Sequence, residues 1–441
     1  MNSYNELRSE LDRLGLEIPL TDDLSVLGEP LTFGNTIASG RKKSYTLPNR
    51  FVAQPMEGFD SGPDGQPSEL GFRRYERFAA GGAGLIWFEA TAVLAEARSN
   101  AQQFWINEKS VDAFAALEER ARSFARNAHG HEIVTVLQLT HSGRYSKPTR
   151  GVRAPVIAQH NGVLDAAHNI PAEHPLISDD ELDRLQDVYV AAAKLAAKCG
   201  FDGVDVKSCH GYLLNELLGA RTRPGKYGGS FENRTRFFRE TIIRIRDEVP
   251  SMFVTSRFNV YDAVKYPWGF GVRENDYKKW DLTESKQLVA VLRELGVPLL
   301  NITIGNPYFN PHFNRPYAKP ARGTAAYDEN PLVGVARFLN IVREMQQSQP
   351  DLPMIGAGTA WLRHLVPQVA AGVVQSGWMT LFGQGRGSFA YPDAPQDVLS
   401  IGEMNPKKVC LACSGCTNLM RQEEPTGCVL RDRDYYRLEK E

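Results

Sequence analysis

Nothing in this 441-residue sequence favours one sign of charge: 51 Lys and Arg stand against 52 Asp and Glu. That balance leaves no electrostatic footprint for nucleic acid or an anionic membrane surface, and neither partner is expected. Long hydrophobic runs are missing too. No stretch approaches the roughly 18 apolar residues of a membrane span, and the polar start Met1-Asn2-Ser3-Tyr4 has no apolar leader core, so a cytoplasmic protein is expected. Cysteine is scarce along most of the chain. Cys199 and Cys209 stand alone, while Cys410, Cys413, Cys416 and Cys428 crowd the end, a distribution that argues for a metal or cluster and against disulfides. No Gly-x-Gly-x-x-Gly run follows a strand pattern, which removes the usual dinucleotide fingerprint.

What is present is an alternation. Apolar, strand-like runs at 50–55, 83–89, 132–140, 203–207, 253–258, 298–303, 353–356 and 377–381 are separated by amphipathic helical patterns near 70–81, 111–129, 178–199, 231–249, 283–296, 332–346 and 361–373. Eight strands with helices between them predict an α/β fold, a (β/α)8 TIM barrel over 31–400. An N-terminal extension (1–30, with Leu7, Leu11 and Leu14 at helical spacing) precedes it, and a Cys-rich tail (401–441) follows. Residues 41–48 are expected to close the barrel floor as a hairpin. The loops at 141–177 and 304–331 are long for barrel connections and should shape a site.

Chemistry concentrates after the fourth strand, where Lys207, His210 and Tyr212 leave the strand end together. A cation, an imidazole and a phenol within six positions after a buried strand point to a site. Similar rim positions hold Pro55, Met56 and Glu57 after the first strand, Gln138 after the third and Arg257 after the fifth. Gln138 offers a donor and an acceptor together, and Arg257 would be costly to bury without an anion. Gly356 and Gly358 after the seventh strand, and Gly385 and Arg386 after the eighth, form the paired Gly-rich turns of a barrel phosphate site.

These motifs, with Gln138-Leu-Thr-His141-Ser-Gly143-Arg144 and Tyr227-Gly-Gly-Ser-Phe-Glu-Asn-Arg234, resemble the Old Yellow Enzyme superfamily of FMN-dependent oxidoreductases. The tail spacing Cys-x2-Cys-x2-Cys-x11-Cys is similar to that of its dienoyl-CoA reductase and trimethylamine dehydrogenase branches. The resemblance implies FMN resting on Pro55, Met56 and Glu57, read by Gln138 and Arg257, with its phosphate at Gly356, Gly358, Gly385 and Arg386. It also implies a substrate carbonyl held by Lys207 and His210, protonation by Tyr212, and a [4Fe-4S] cluster on Cys410, Cys413, Cys416 and Cys428. Zinc or a free-thiol tail is the alternative at the cysteines. Lys207 replaces the family's usual His, and Glu57 its usual Thr or Cys. Reduction of a C=C bond conjugated to a carbonyl in a small-molecule substrate is expected, with a bulky, steroid-like or aromatic compound suggested by the apolar run 306–317, read as a lid. An amine dehydrogenase with an aromatic bowl (Trp268, Tyr308, Phe309, Phe313) is the rival, and a partner-dependent electron-transfer subunit the second. Without a nucleotide-binding module, electrons are expected directly from NAD(P)H or from a donor protein. A homo-oligomer is left open.

Overall fold

The computed structural model describes residues 3–36, 42–436 and 438. Helix α1 (Tyr4–Leu14) starts at Ser3, whose side chain accepts from Glu6 N, and stops at the left-handed Gly15. It buries Leu7 and Leu11, as the spacing predicts, while Leu14 packs at the edge. The antiparallel pair β1 (Leu31–Thr36) and β2 (Lys42–Leu47) comes next. Eight parallel strands then close a barrel: β3 (Phe51–Ala53), β4 (Leu85–Ala92), β5 (Val134–Thr140), β6 (Gly203–Val206), β7 (Phe253–Tyr261), β8 (Leu300–Ile304), β9 (Met354–Gly356) and β10 (Leu381–Gln384), with β10 pairing β3. The strands are covered on both faces, so they read as continuous apolar runs with no alternation; all eight residues of β4 are buried.

The outer helices are α2 (Glu69–Ala80), α3 (Val111–His129), α5 (Asp179–Lys198), α7 (Phe231–Glu248), α8 (Thr283–Glu294), α10 (Pro331–Ser348) and α11 (Val366–Gln375). Their ends follow local chemistry. Ser178 and Glu181 form a reciprocal capping box that starts α5. Within the loops lie the short helices α4 (Gly162–His168), α6 (Leu213–Leu218), α9 (Pro311–Asn314), α12 (Arg386–Ala390), α13 (Ala394–Ile401) and α14 (Gly415–Arg421). The eighth strand differs from expectation, running over Leu381–Gln384 and not 377–381. Gly377, at φ 67°, and the Trp378 N–H, donated to Val373 O at 2.8 Å, still belong to the turn that ends α11.

The β1–β2 hairpin plugs the floor. Phe33 and Tyr45 stack at 5.6 Å, and both meet Phe253 edge-on at 5.5 and 4.9 Å. The floor position of this segment is as expected, but Lys42–Leu47 is one strand of the hairpin, paired with Leu31–Thr36, and not a hairpin by itself; Arg41 lies outside the described residues. Above the plug, Leu85, Trp87, Val134, Val136, Ile355 and Leu381 fill the lower barrel. The interior then turns polar. Asp205 accepts from Trp87 Nε1 (2.9 Å), Gln138 Nε2 (2.5 Å) and Arg257 N (2.8 Å), and Gln54 and Asn301 exchange amide hydrogen bonds across the barrel. Burial pushes the Asp205 carboxyl up to about 7, against the pull of these donors. An apolar floor below a polar layer sets the functional end at the strand C-termini.

Candidate functional site

The chain leaves β6 through a turn that only certain residues tolerate. Lys207 N still bonds Leu139 O (3.1 Å) and Ser208 N bonds Arg257 O (3.0 Å), so the ladder holds up to the site. His210 (φ 65°) and Gly211 (φ 76°) then take successive left-handed conformations. A side chain at Gly211 would begin 2.4 Å from Asn306 Nδ2, which explains the glycine. His210 N donates to Asn259 Oδ1 (3.3 Å) and Gly211 N to Asn215 Oδ1 (2.7 Å), fixing the turn from two directions.

Two of the predicted trio, Lys207 and Tyr212, converge on Glu57, while His210 bonds Asn259 and Asn314. Lys207 Nζ lies 3.4 Å from Glu57 Oε1, and Tyr212 Oη donates to the same oxygen at 3.3 Å. Lys207 also sits 3.9 Å above the Tyr212 ring centroid. The lysine thus turns to a carboxylate, but to one inside the site: side-chain exposure is 4% for Lys207 and 9% for Glu57. Burial, then the Glu57 charge, holds the Tyr212 phenol well above its usual range. Burial, aided by the charges of Arg257, Lys207 and Arg315, keeps His210 neutral, and Asn314 Nδ2 donates to its Nε2 at 3.3 Å.

These groups line a cavity of about 550 Å³ together with Pro55, Met56, Gln138, Arg257 and Arg386. Among the buried polar atoms on that lining that lack a partner among the described residues are Arg257 Nε, Gln384 Oε1 and Arg386 Nη1. Gly358 and Gly385 line it as well; Gly356 does not, its open flank facing Met379 and Val342 behind the strand. A Cβ on Gly385 would stand 3.1 Å from Met56 Sδ, and one on Gly358 (φ +92°) 2.9 Å from the Phe338 ring. Gly358→Ala is therefore expected to cost about 1–3 kcal/mol, read as a lowered urea midpoint with an unchanged slope.

The far wall was not foreseen in full. Tyr145 stacks on Tyr308 at 3.9 Å, and Tyr308 Oη lies 2.9 Å from Tyr212 Oη. Tyr308 belongs to the expected lid loop; Tyr145 lies in the other long loop, 141–177, directly after Arg144, but no local pattern singled it out. Among the aromatics named for a bowl, Trp268, Phe309 and Phe313 stay out of the lining. Phe313 packs on Tyr261 and under Arg337. Arg144 is pinned by Asp165 and Glu216, which anchors the β5 loop beside the cavity.

His141, at the end of β5, accepts from Gly143 N at 3.0 Å, and burial lowers its pKa to about 4. Above pH 6.5 both folded and unfolded states are neutral here. As pH falls towards 4, only the unfolded state gains the proton, so this residue's contribution to stability shrinks. His141→Gln keeps an acceptor without that linkage. Its stability deficit at pH 7.5 is expected to narrow by about 2 kcal/mol at pH 5, measured by urea unfolding at both values.

The tail is stitched onto this end of the barrel. Ala318 N bonds Ala412 O (2.9 Å), Ser414 Oγ bonds Lys319 O (2.7 Å), Arg322 N bonds Asn418 Oδ1 (2.9 Å) and Thr426 N bonds Gly58 O (2.6 Å). Left-handed Ala412 and Ser414 curl the chain between cysteines, and Ala412 N donates to Cys410 Sγ at 3.4 Å. Cys410, Cys413, Cys416 and Cys428 line one small cavity with Phe389, and Arg386 lines both this cavity and the large one. Among the described residues, no group of three or more His, Cys, Asp or Glu is arranged to hold a metal ion. No helix of the described residues is long and apolar enough to cross a membrane.

A closed parallel barrel with a deep, polar-lined cavity at its strand C-termini defines a ligand-binding (β/α)8 barrel of the enzyme class. The chain belongs to the NADH:flavin oxidoreductase / NADH oxidase family, whose profile matches residues 30–400. It is 31% identical over 269 residues to the NADPH dehydrogenase of Bacillus pumilus, covering 60% of this chain and 71% of that protein. It is 28% identical over 397 residues to the NADH oxidase of Thermoanaerobacter brockii, covering 87% of this chain but 54% of that one, so the chain spans about half the longer relative's length. Among solved structures, a 2-naphthoyl-CoA reductase complex superposes with a TM-score of 0.71 at 20% identity, covering 94% of this chain and 58% of the other. Flavin-dependent oxidoreduction linked to NAD(P)H is thus the family's chemistry.

Proposed function

We propose that this protein is an FMN-dependent reductase that uses NAD(P)H to saturate a C=C bond conjugated to a carbonyl. The convergence of Lys207, His210 and Tyr212 on one cavity, with Lys207 and Tyr212 sharing Glu57, supports this reading. The cavity fits FMN on its own features. Arg386 Nη1 beside the Gly385 and Gly358 turns is an unmatched donor of the kind a phosphate satisfies. Arg257 and Gln138, with Pro55, Met56 and Glu57 beside them, supply charge and an amide edge for the ring. FMN, when bound, supplies the hydride.

The residues do the rest. Lys207 and His210 hold the substrate carbonyl oxygen, the first as a cation and the second through a neutral imidazole, and stabilise the negative charge that builds there. Tyr212, kept protonated by burial, gives its proton to the α-carbon. Tyr308, hydrogen-bonded to Tyr212 Oη, and the Lys207 ammonium over the ring stabilise the resulting phenolate, and a solvent proton returns to it through Tyr308. The stacked pair Tyr145 and Tyr308 offers a flat apolar wall and favours an aromatic or polycyclic acyl group. An ammonium substrate would meet Lys207 and the arginines of the lining, which weighs against amine oxidation.

The four tail cysteines share the lining of one small cavity, and their close spacing in the sequence is what supports a [4Fe-4S] cluster over a zinc ion there. Such a cluster would accept electrons from a donor protein, beside direct reduction by NAD(P)H. The test is anaerobic turnover: NADH or NADPH with cinnamaldehyde should yield 3-phenylpropanal, and iron and sulfide assays should find about four of each per chain. No product with either dinucleotide, together with flavin bleaching by amines, would replace this reading with amine oxidation.

A further inference from the structure

The net charge of the whole chain is -1, yet nine arginines and lysines line the large cavity against two glutamates. Pairing accounts for three of the nine. Arg144 has Asp165 and Glu216, Lys147 has Glu423, and Lys207 has Glu57. The other six, Arg153, Arg257, Arg315, Arg363, Arg386 and Arg421, have no carboxylate partner among the described residues. A flavin phosphate and an anionic ring would engage Arg386, Arg363 and Arg257, which lie with the Gly-rich turns and the polar barrel layer. Three cations remain. Placing that much unmatched charge around one cavity costs stability unless a ligand brings the opposite sign.

Two of the three gather at Tyr308. Arg315 Nη1 donates to Thr417 Oγ1 (2.6 Å), and Arg421 Nη1 donates to Arg322 O and Thr324 Oγ1, both at 2.7 Å. These bonds anchor one nitrogen of each guanidinium to a neutral group and leave the rest of its donors uncommitted. Both guanidiniums are within electrostatic reach of Tyr308 and of each other. Among the described residues no carboxylate relieves this like-charge crowding.

We propose that Arg315 and Arg421 form an anion subsite beside the Tyr145–Tyr308 wall that takes a carboxylate or phosphate of the ligand stacked there. The inference rests on the reductase reading and adds a substrate class: a conjugated carbonyl compound carrying an anionic group at the end remote from the reacting bond. The same chemistry could be met by the diphosphate of the dinucleotide, and the experiment separates the two.

The oxidised holoenzyme is titrated with cinnamaldehyde and with 4-carboxycinnamaldehyde, following the flavin absorbance. The carboxylated compound is expected to bind about tenfold more tightly, the effect of one charge-assisted contact. Arg421→Gln and Arg315→Gln should each erase most of that advantage while leaving the Kd for cinnamaldehyde within about threefold, and about 0.5 M NaCl should act like the variants by screening. Iron, sulfide and flavin contents are measured in both variants. If Arg315→Gln loses iron through its neighbour Cys416, Arg421→Gln carries the test. A raised KM for NAD(P)H in the variants with no carboxylate advantage assigns the subsite to the dinucleotide. Equal Kd values for the two aldehydes, with NAD(P)H kinetics unchanged in both variants, would overturn the proposal. Because binding is read without turnover, tight carboxylate binding by an enzyme that saturates neither aldehyde would leave the subsite standing and remove the reductase reading.

Discussion

Replacing Tyr212 by Phe is expected to lower the rate of C=C reduction by about 10²–10⁴-fold, the usual worth of a positioned general acid, while NAD(P)H still bleaches the flavin at an unchanged rate. The split follows from where the hydroxyl sits. It touches Glu57 and Tyr308, and removing it takes away the proton meant for the α-carbon and no group that hydride transfer to the flavin uses. Lost packing is small, because the ring and its contact with Lys207 remain. Burial and Glu57 hold the phenol well above its ordinary range, so wild-type turnover should show no deprotonation limb from Tyr212 between pH 6 and 9 (roughly the workable range). Stopped-flow measurement of the two half-reactions separates these outcomes. Equal loss in both halves would mean that Tyr212 positions the flavin and does not give the proton.

The second large effect is on stability. Arg74, 4% exposed, bridges Asp60 (2.5 Å) and Glu89 (2.5 Å), and Glu89 in turn accepts from Gly58 N (2.6 Å). The guanidinium lies so close to Gly58 that a Cβ there would stand 2.1 Å from Arg74 Nη1. This network holds the loop that carries Glu57. Arg74→Met strands two carboxylates in the interior and is expected to cost about 3–5 kcal/mol by urea unfolding. Burial already lifts Glu89 to about 7, with Arg74 opposing. A carboxyl whose folded pKa is raised stabilises below its unfolded value and loses that contribution as pH rises through the folded one, so the deficit of Arg74→Met should be larger at pH 8 than at pH 6. Adding Glu89→Gln should recover part of it. A variant as stable as the wild type at both values would show that the three charges are not coupled.

The barrel was legible because parallel strands buried on both faces leave an unbroken apolar signature, and the helices between them carry a 3.6-residue period. The last strand slipped because Trp378 and Met379 are as apolar as any strand, while the φ of Gly377, which ends the turn, cannot be read from its identity alone. Residues that leave strand ends were legible as neighbours, since Lys207, His210, Tyr212, Gln138 and Arg257 all line one cavity. Gly356 turned its open face to Met379 because alternate strand residues point to opposite sides. Contributions from long loops were hidden. Tyr145 and Tyr308 are 163 positions apart by number yet stack at 3.9 Å, and no local pattern encodes such a pairing. Whether an arginine has a carboxylate partner is equally a tertiary fact, so the surplus charge became visible only when the cavity and its ion pairs could be compared.

The most direct test of the account is to mix NAD(P)H-reduced holoenzyme anaerobically with cinnamaldehyde in D2O and to weigh the product. The account predicts reoxidation of the flavin and 3-phenylpropanal carrying one solvent deuterium at the α-carbon, with Tyr212→Phe abolishing the fast phase. Reduced flavin that persists in the presence of the aldehyde, or product with no solvent deuterium at that carbon, would contradict it.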